Sequence, residues 1–216
     1  MSAQAGSIDV YHPNQSYREL AFERWQDNRY DEALLYFRLA AKFADKPSQL
    51  AIALMYEQGV GVSRDPAAAY AWADLAAERG FPQFIAARER IWRELEAQQQ
   101  ERALALGKDL YTQYGDAVAK PRLERRLFQG LTRATGSHTG FIGRLGVGVK
   151  DDRQGVASPG MPSFERSMSM LASASGAGDY YADEKWKPAI YWTFQDRIWL
   201  PEGKVNVGAP QKVPKK

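Results

Sequence analysis

Residues 48–80 read SQLAIALMYEQGVGVSRDPAAAYAWADLAAERG. Two short helical patterns flank the turn Gly59-Val60-Gly61-Val62. In the first, Ile52, Ala53, Met55 and Tyr56 recur at helical spacing; in the second, Ala69, Trp72, Ala76 and Ala77 do. The second pattern has an upstream copy: Ala33, Tyr36, Ala40 and Ala41 stand 36 residues earlier. A repeat in the mid-thirties marks a solenoid of helical hairpins. Such folds work by presenting a surface to a partner, which makes a binding role the first expectation.

The punctuation around the repeat agrees with that reading. Asp65 is a helix N-cap and Pro66 the residue after it, where a missing N–H is harmless. Gly80 is placed as the residue just past a helix end. Gly59 and Gly61 predict at least one left-handed backbone conformation. Ala69, Ala76 and Ala77 allow neighbouring helices to approach closely, while Tyr56 and Trp72 fill the space between hairpins. Outward from here, Ser16 and Glu19 form a capping-box pattern that predicts a helix over about 17–27. Further helices are predicted over about 30–44, from Pro47-Ser48 to Gly59, from Pro66 to Arg79, from Pro82, over about 97–114 and over 121–133.

The pattern Ile52-Ala53-x-x-Tyr56-x-x-Gly59-x-Gly61-Val62-x-x-Asp65-x-x-x-Ala69-x-x-Trp72-x-x-x-Ala76-Ala77-x-x-Gly80 resembles the Sel-1-like repeat, a relative of the tetratricopeptide repeat. Ala53 stands where that family most often has glycine. The resemblance extends over about residues 16–115. The copy at 16–46 lacks the G-x-G turn, and the copy at 82–115 keeps Pro82 and Trp92 but replaces the turn with Glu96-Ala97-Gln98-Gln99-Gln100. The resemblance implies a mainly α fold, a solenoid of helical hairpins, and an adaptor or scaffold role, in bacteria often in the envelope. It also implies a groove lined by the first helix of each hairpin. On those helices Tyr17, Arg24, Gln49, Glu57, Gln83 and Arg88 are the expected partner-binding residues.

The rest of the chain divides by composition. Residues 1–15 are irregular, 16–115 carry the repeats, and 116–135 form a basic helix. Residues 136–216 form a Gly/Ser-rich stretch with an aromatic end. Extended character is expected over the glycine-punctuated 136–149, a mobile loop over about 152–178, and a short strand at 205–207. Tyr180, Tyr181, Trp186, Tyr191, Trp192, Phe194 and Trp199 are too many aromatics for a disordered tail, so they should pack back on the helices.

With 216 residues the chain has room for a sizeable core, and its hydrophobic content of 44% is that of a globular protein. The absence of cysteine excludes a disulfide, a thiolate metal site, a cysteine nucleophile and a lipoprotein anchor. No apolar run approaches the ~20 residues of a membrane-spanning helix. Ala3-Gln4-Ala5 fits the A-x-A pattern of signal-peptide cleavage, so the expected setting is periplasmic or secreted with the signal removed; the cytoplasm is the alternative.

Candidate chemistry is sparse. His12 and His138 have no second ligand at metal spacing, so no metal site is expected. The stretch Thr135-Gly136-Ser137-His138-Thr139-Gly140 is not G-x-S-x-G and reads as a glycine-rich turn. Gly143-Arg144-Leu145-Gly146-Val147-Gly148 lacks the Lys-Ser/Thr of a phosphate loop. No cofactor and no catalytic residue is expected. The net charge of +3 is mild and disfavours a nucleic-acid partner. The partner is therefore expected to be another protein or a peptide. A second reading remains: Arg122, Arg125, Arg126 and Arg133, with the C-terminal aromatics, would bind an anionic polymer, either a polysaccharide or a nucleic acid.

Overall fold

The computed structural model describes residues 10–135, 163–173 and 183–200. Helices α1 (Pro13–Gln26) and α2 (Tyr30–Ala41) form the first hairpin, α3 (Lys46–Gln58) and α4 (Pro66–Ala76) the second. Helices α5 (Pro82–Arg93) and α6 (Ala97–Tyr114) follow, then α7 (Asp116–Thr135). Three further helices come from the C-terminal part: α8 (Ser163–Ser173), α9 (Asp183–Trp186) and α10 (Pro188–Arg197). Among the described residues there are no strands. The fold is a helical solenoid, as the repeat predicts.

The glycine turn explains how the hairpins stack. Gly59 has φ 71° and its N–H donates to the Met55 carbonyl at 2.8 Å. Gly61 has φ 69°, and a Cβ there would lie 2.6 Å from the Tyr30 carbonyl carbon and oxygen. The second glycine is thus needed twice, for its left-handed backbone and for the approach of the start of α2. After the turn the Asp65 carboxylate accepts from the Ala68 N–H at 3.1 Å and starts α4. Gly80, at φ 75°, ends the short 3-10 turn Ala77–Arg79 that extends α4.

Ala69, Ala73 and Ala76 are fully buried, which lets α4 lie close to its neighbours α3, α5 and α6. Trp72 is buried against Tyr114 at the end of α6, ring centroids 4.9 Å apart. Phe22 and Phe37 meet edge to face at 5.0 Å across the first hairpin. This one core includes Phe81 just before α5, Phe84 and Ile91 of α5, Met168 and Leu171 of α8, and Trp199 beyond the end of α10.

Several expectations need correction. Helix α1 begins at Pro13, so Ser16 lies within it and is not its N-cap; Pro13 with its fixed φ opens the helix instead. Helix α3 begins at Lys46, one residue earlier than expected, because buried Asp45 caps it by accepting from Ser48 N and Oγ. Helix α7 starts at Asp116 and runs through Pro121, which is tolerated within it. The expected loop over 152–178 contains α8, whose Phe164, Met168 and Leu171 recur at helical spacing and pack on the solenoid. The segments 136–149 and 205–207 lie outside the described residues. The aromatic end does pack back: Trp186, Tyr191 and Trp199 are buried.

Candidate functional site

The groove expected from the first helices is covered by the chain itself. Helix α8 packs on α1 and α3. Its Phe164 ring lies 5.5 Å from that of Trp25, while Met168 and Leu171 are buried in the core. Beyond the end of α10, Trp199 packs on Phe84 of α5 with centroids 4.9 Å apart.

The six residues expected to bind a partner are not brought together, and each is engaged internally. Gln49 is buried, its amide donating to the Tyr114 carbonyl at 3.1 Å. Glu57 is buried and its carboxylate accepts from Nη1 and Nη2 of Arg90, the latter at 2.9 Å. For these two the expectation of an exposed groove position fails, because α3 is packed on nearly every side. Gln83 donates to the Trp199 carbonyl at 3.0 Å and so fastens the C-terminal segment to α5. Tyr17 stacks with Tyr36 and Phe43 at 6.5 and 6.4 Å. Arg24 pairs with Glu32 at 3.4 Å, and Arg88 with Glu89 at 2.6 Å and Asp74 at 3.3 Å.

What sequence reading missed is a charged cluster that ties α3, α4, α7 and α10 together. Lys46 is 1% exposed and pairs with Glu78 at 2.6 Å and Asp116 at 3.1 Å. Arg79 pairs with Asp116 at 2.7 Å and Asp196 at 2.8 Å, and its guanidinium lies 4.8 Å from the Trp192 ring. Burial lowers the Lys46 pKa, an effect that Asp116 and Glu78 oppose. Burial alone would raise Asp116, but the Arg79 guanidinium, with Lys46 and Lys120, holds it well below the usual carboxylate range. Nearby, Arg18 bonds Asp45 through Nη1, while its Nε and Nη2 have no hydrogen-bond partner among the described residues. These charges are scattered along the sequence at no motif spacing.

The basic helix divides differently. The Arg122 guanidinium donates to the backbone carbonyls of Lys42 and Gln113 and is held within the fold. Arg125 and Arg126 are exposed and have no ion pair among the described residues. The side chain of Arg133 lies outside the described residues. Trp192, from the aromatic end, donates to Glu124 of α7 at 2.9 Å. Beside it a shallow hollow of about 430 Å³ opens between α7 and the start of α10, lined by Pro121, Glu124, Arg125, Phe128, Gln129 and Pro188.

Among the described residues no helix is long and apolar enough to cross a membrane. Nor does any group of three His, Asp or Glu side chains there have the geometry to hold a metal ion.

Residues 26–42 and 46–81 match the family described as the Sel1 repeat. Over 52 residues it is 44% identical to chitin synthase regulatory factor 3 of Schizosaccharomyces pombe. That segment is 24% of this chain and 6% of the yeast protein. Among solved structures it is similar to c5321, a protective antigen of uropathogenic Escherichia coli with an SLR fold. There the identity is 24% and the TM-score 0.45, over 52% of this chain and 25% of the other.

Proposed function

We propose that this protein is a non-catalytic interaction scaffold whose partner is another protein. The observation that carries the reading is the Sel1 repeat over 26–42 and 46–81, seated on a folded helical solenoid. Repeats of this kind generally mediate protein–protein contact, and stacked helical hairpins give a long, shape-specific surface. The yeast relative is named a regulatory factor, which is in keeping with a protein that acts by binding, although this chain matches only 6% of it. The setting is proposed as the bacterial envelope, supported by Ala3-Gln4-Ala5 alone; cell fractionation checks it.

The test is affinity capture with the full chain from the native cells, followed by reconstitution with the purified candidate. The expected result is a saturable complex with one protein that survives nuclease treatment and moderate salt. Failure of every captured protein to bind directly would overturn the reading.

The exposure of Arg125 and Arg126 favours a second reading, an anionic polymer held by α7. Under it, charge reversal at both arginines removes binding to the polyanion and added salt mimics the loss.

A further inference from the structure

Helix α7 is apolar on two faces. Ala119, Leu123, Leu127 and Gly130 are buried against the body of the protein. The other face carries Val118, Pro121, Arg125 and Phe128, spaced by three, four and three residues, so they form one stripe about 15 Å long. Phe128 is 61% exposed, Val118 is 38% exposed, and Pro121 is exposed as well. A helix facing solvent usually shows polar side chains there; a second apolar stripe marks a face that is covered in use. Helix α10 extends the surface with Pro188 on the rim of the hollow and Ile190, which is 44% exposed.

Charge says what covers it. Arg125 lies in the middle of the stripe and Arg126 beside it, both without an ion pair among the described residues. The nearest carboxylate on the rim, Glu124, already accepts from Trp192 Nε1. Arginine next to an exposed aromatic and two proline rings is the composition of an interface core, and a guanidinium fork suits a carboxylate.

We propose that this face of α7, with the start of α10, docks an acidic polypeptide segment that inserts an aliphatic or aromatic anchor beside Phe128. Carboxylates of the segment pair with Arg125 and Arg126. The proposal rests on the protein-interaction reading and places its contact on the outer side of α7, away from the groove that α8 and Trp199 cover. A polysaccharide offers Phe128 and Val118 little apolar cover, and a nucleic acid would cover Phe128 only by presenting an unstacked base, whereas a polypeptide supplies an apolar side chain and carboxylates together, which is why it is favoured.

The test places a photo-crosslinking phenylalanine analogue at Phe128 in the full chain, with controls at Leu35 and Leu104, in cells that carry the native gene. Both control positions are exposed and lie on α2 and α6. Expected is a crosslink from position 128 to one protein, at a site where an apolar residue is flanked by Asp or Glu. A labelled synthetic peptide of that site should bind the unmodified chain. It should lose at least tenfold affinity with R125E/R126E and with Phe128→Ser, while far-UV circular dichroism stays unchanged. A peptide with its acids changed to Lys should regain binding to R125E/R126E. Crosslinks from 128 to nucleic acid, polysaccharide or lipid would overturn the proposal. So would protein crosslinks from 35 or 104 with none from 128, an outcome that leaves the protein-interaction reading standing. Absence of protein crosslinks from all three positions would also overturn the docking proposal and leave the protein-interaction reading to the affinity-capture test.

Discussion

Gly61 shows how a residue's cost of replacement depends on its surroundings as well as its backbone angles. Among the described residues three glycines share a left-handed conformation: Gly59, Gly61 and Gly80. A methyl group at Gly80 meets nothing within 4 Å; at Gly59 it would sit 3.2 Å from Arg64 Cβ; at Gly61 it would meet the Tyr30 backbone at 2.6 Å. Gly→Ala is therefore expected to cost about 1 kcal/mol at Gly80, the left-handed penalty alone. The cost should be somewhat greater at Gly59 and greatest at Gly61, where the first and second hairpins must separate. Urea denaturation of the three variants checks the order, and equal losses would refute the role assigned to Tyr30. Asp116 gives a pH prediction with a definite sign. Its pKa is depressed in the folded protein, so the ionised carboxylate stabilises the fold at every pH above the unfolded value, about 4. That contribution is lost as pH falls below about 4 towards the folded pKa. The melting temperature should drop more steeply between about pH 4 and 2 in the wild type than in Asp116→Asn, which lacks this group; parallel curves would count against it.

At the scale of the element, what was legible followed from local rules. The helices α3 to α6 could be read because each carries its own boundary chemistry: Asp65-Pro66, Gly59, Gly80, Pro82 and Gly115 act on the backbone beside them. Trp72 could be placed in the core because its alanine neighbours share its face. Helix α8 was not legible, since Ser, Ala and Met dominate it and its stripe of Phe164, Met168 and Leu171 covers only two turns. The groove residues were misjudged for a related reason. Gln49 and Glu57 are polar, and nothing in the sequence says that Tyr114 and Arg90, far along the chain, meet them. Tertiary pairing of this kind leaves no periodic trace. The packing of α8 leads to a direct expectation: Leu171→Ala should destabilise by about 2–5 kcal/mol, the usual range for a buried leucine, even though it lies outside the repeats. Trp72→Ala should cost about 3–5 kcal/mol. If chemical denaturation finds Leu171→Ala within about 0.5 kcal/mol of wild type, α8 does not belong to the core.

For the whole molecule, the question is whether the C-terminal helices ride on the solenoid or complete it. A free-standing solenoid is stabilised by nearest-neighbour contacts and can fray one hairpin at a time. Here the contacts run across the array. Asp196, just before the end of α10, bonds Arg79 after α4, which bonds Asp116 at the start of α7, which pairs with Lys46 at the start of α3. Tyr191 of α10 exchanges hydrogen bonds with Asn14 of α1 at 2.8 and 3.0 Å, and His12 bonds the Lys185 carbonyl at 2.8 Å. Gly130 of α7 lies against the Trp186 ring, where a Cβ would collide. Sequence-distant groups thus close the first hairpin, the second hairpin and α7 into one body, and opening any one leaves the charges that stay behind buried without their partners, which is costly. Denaturation is expected to be a single cooperative transition, with tryptophan fluorescence and far-UV circular dichroism superimposing. Breaking the closure should change that form as well as the midpoint. In Arg79→Met, which strips Asp116 and Asp196 of their shared partner, fluorescence from Trp192 and Trp199 should change before the helical signal is lost. If the two probes separate already in the wild type, the C-terminal helices are an appendage and the closure described here does not govern stability. If they stay coincident in Arg79→Met, the apolar contacts of Met168, Leu171 and Trp199 alone hold the body together.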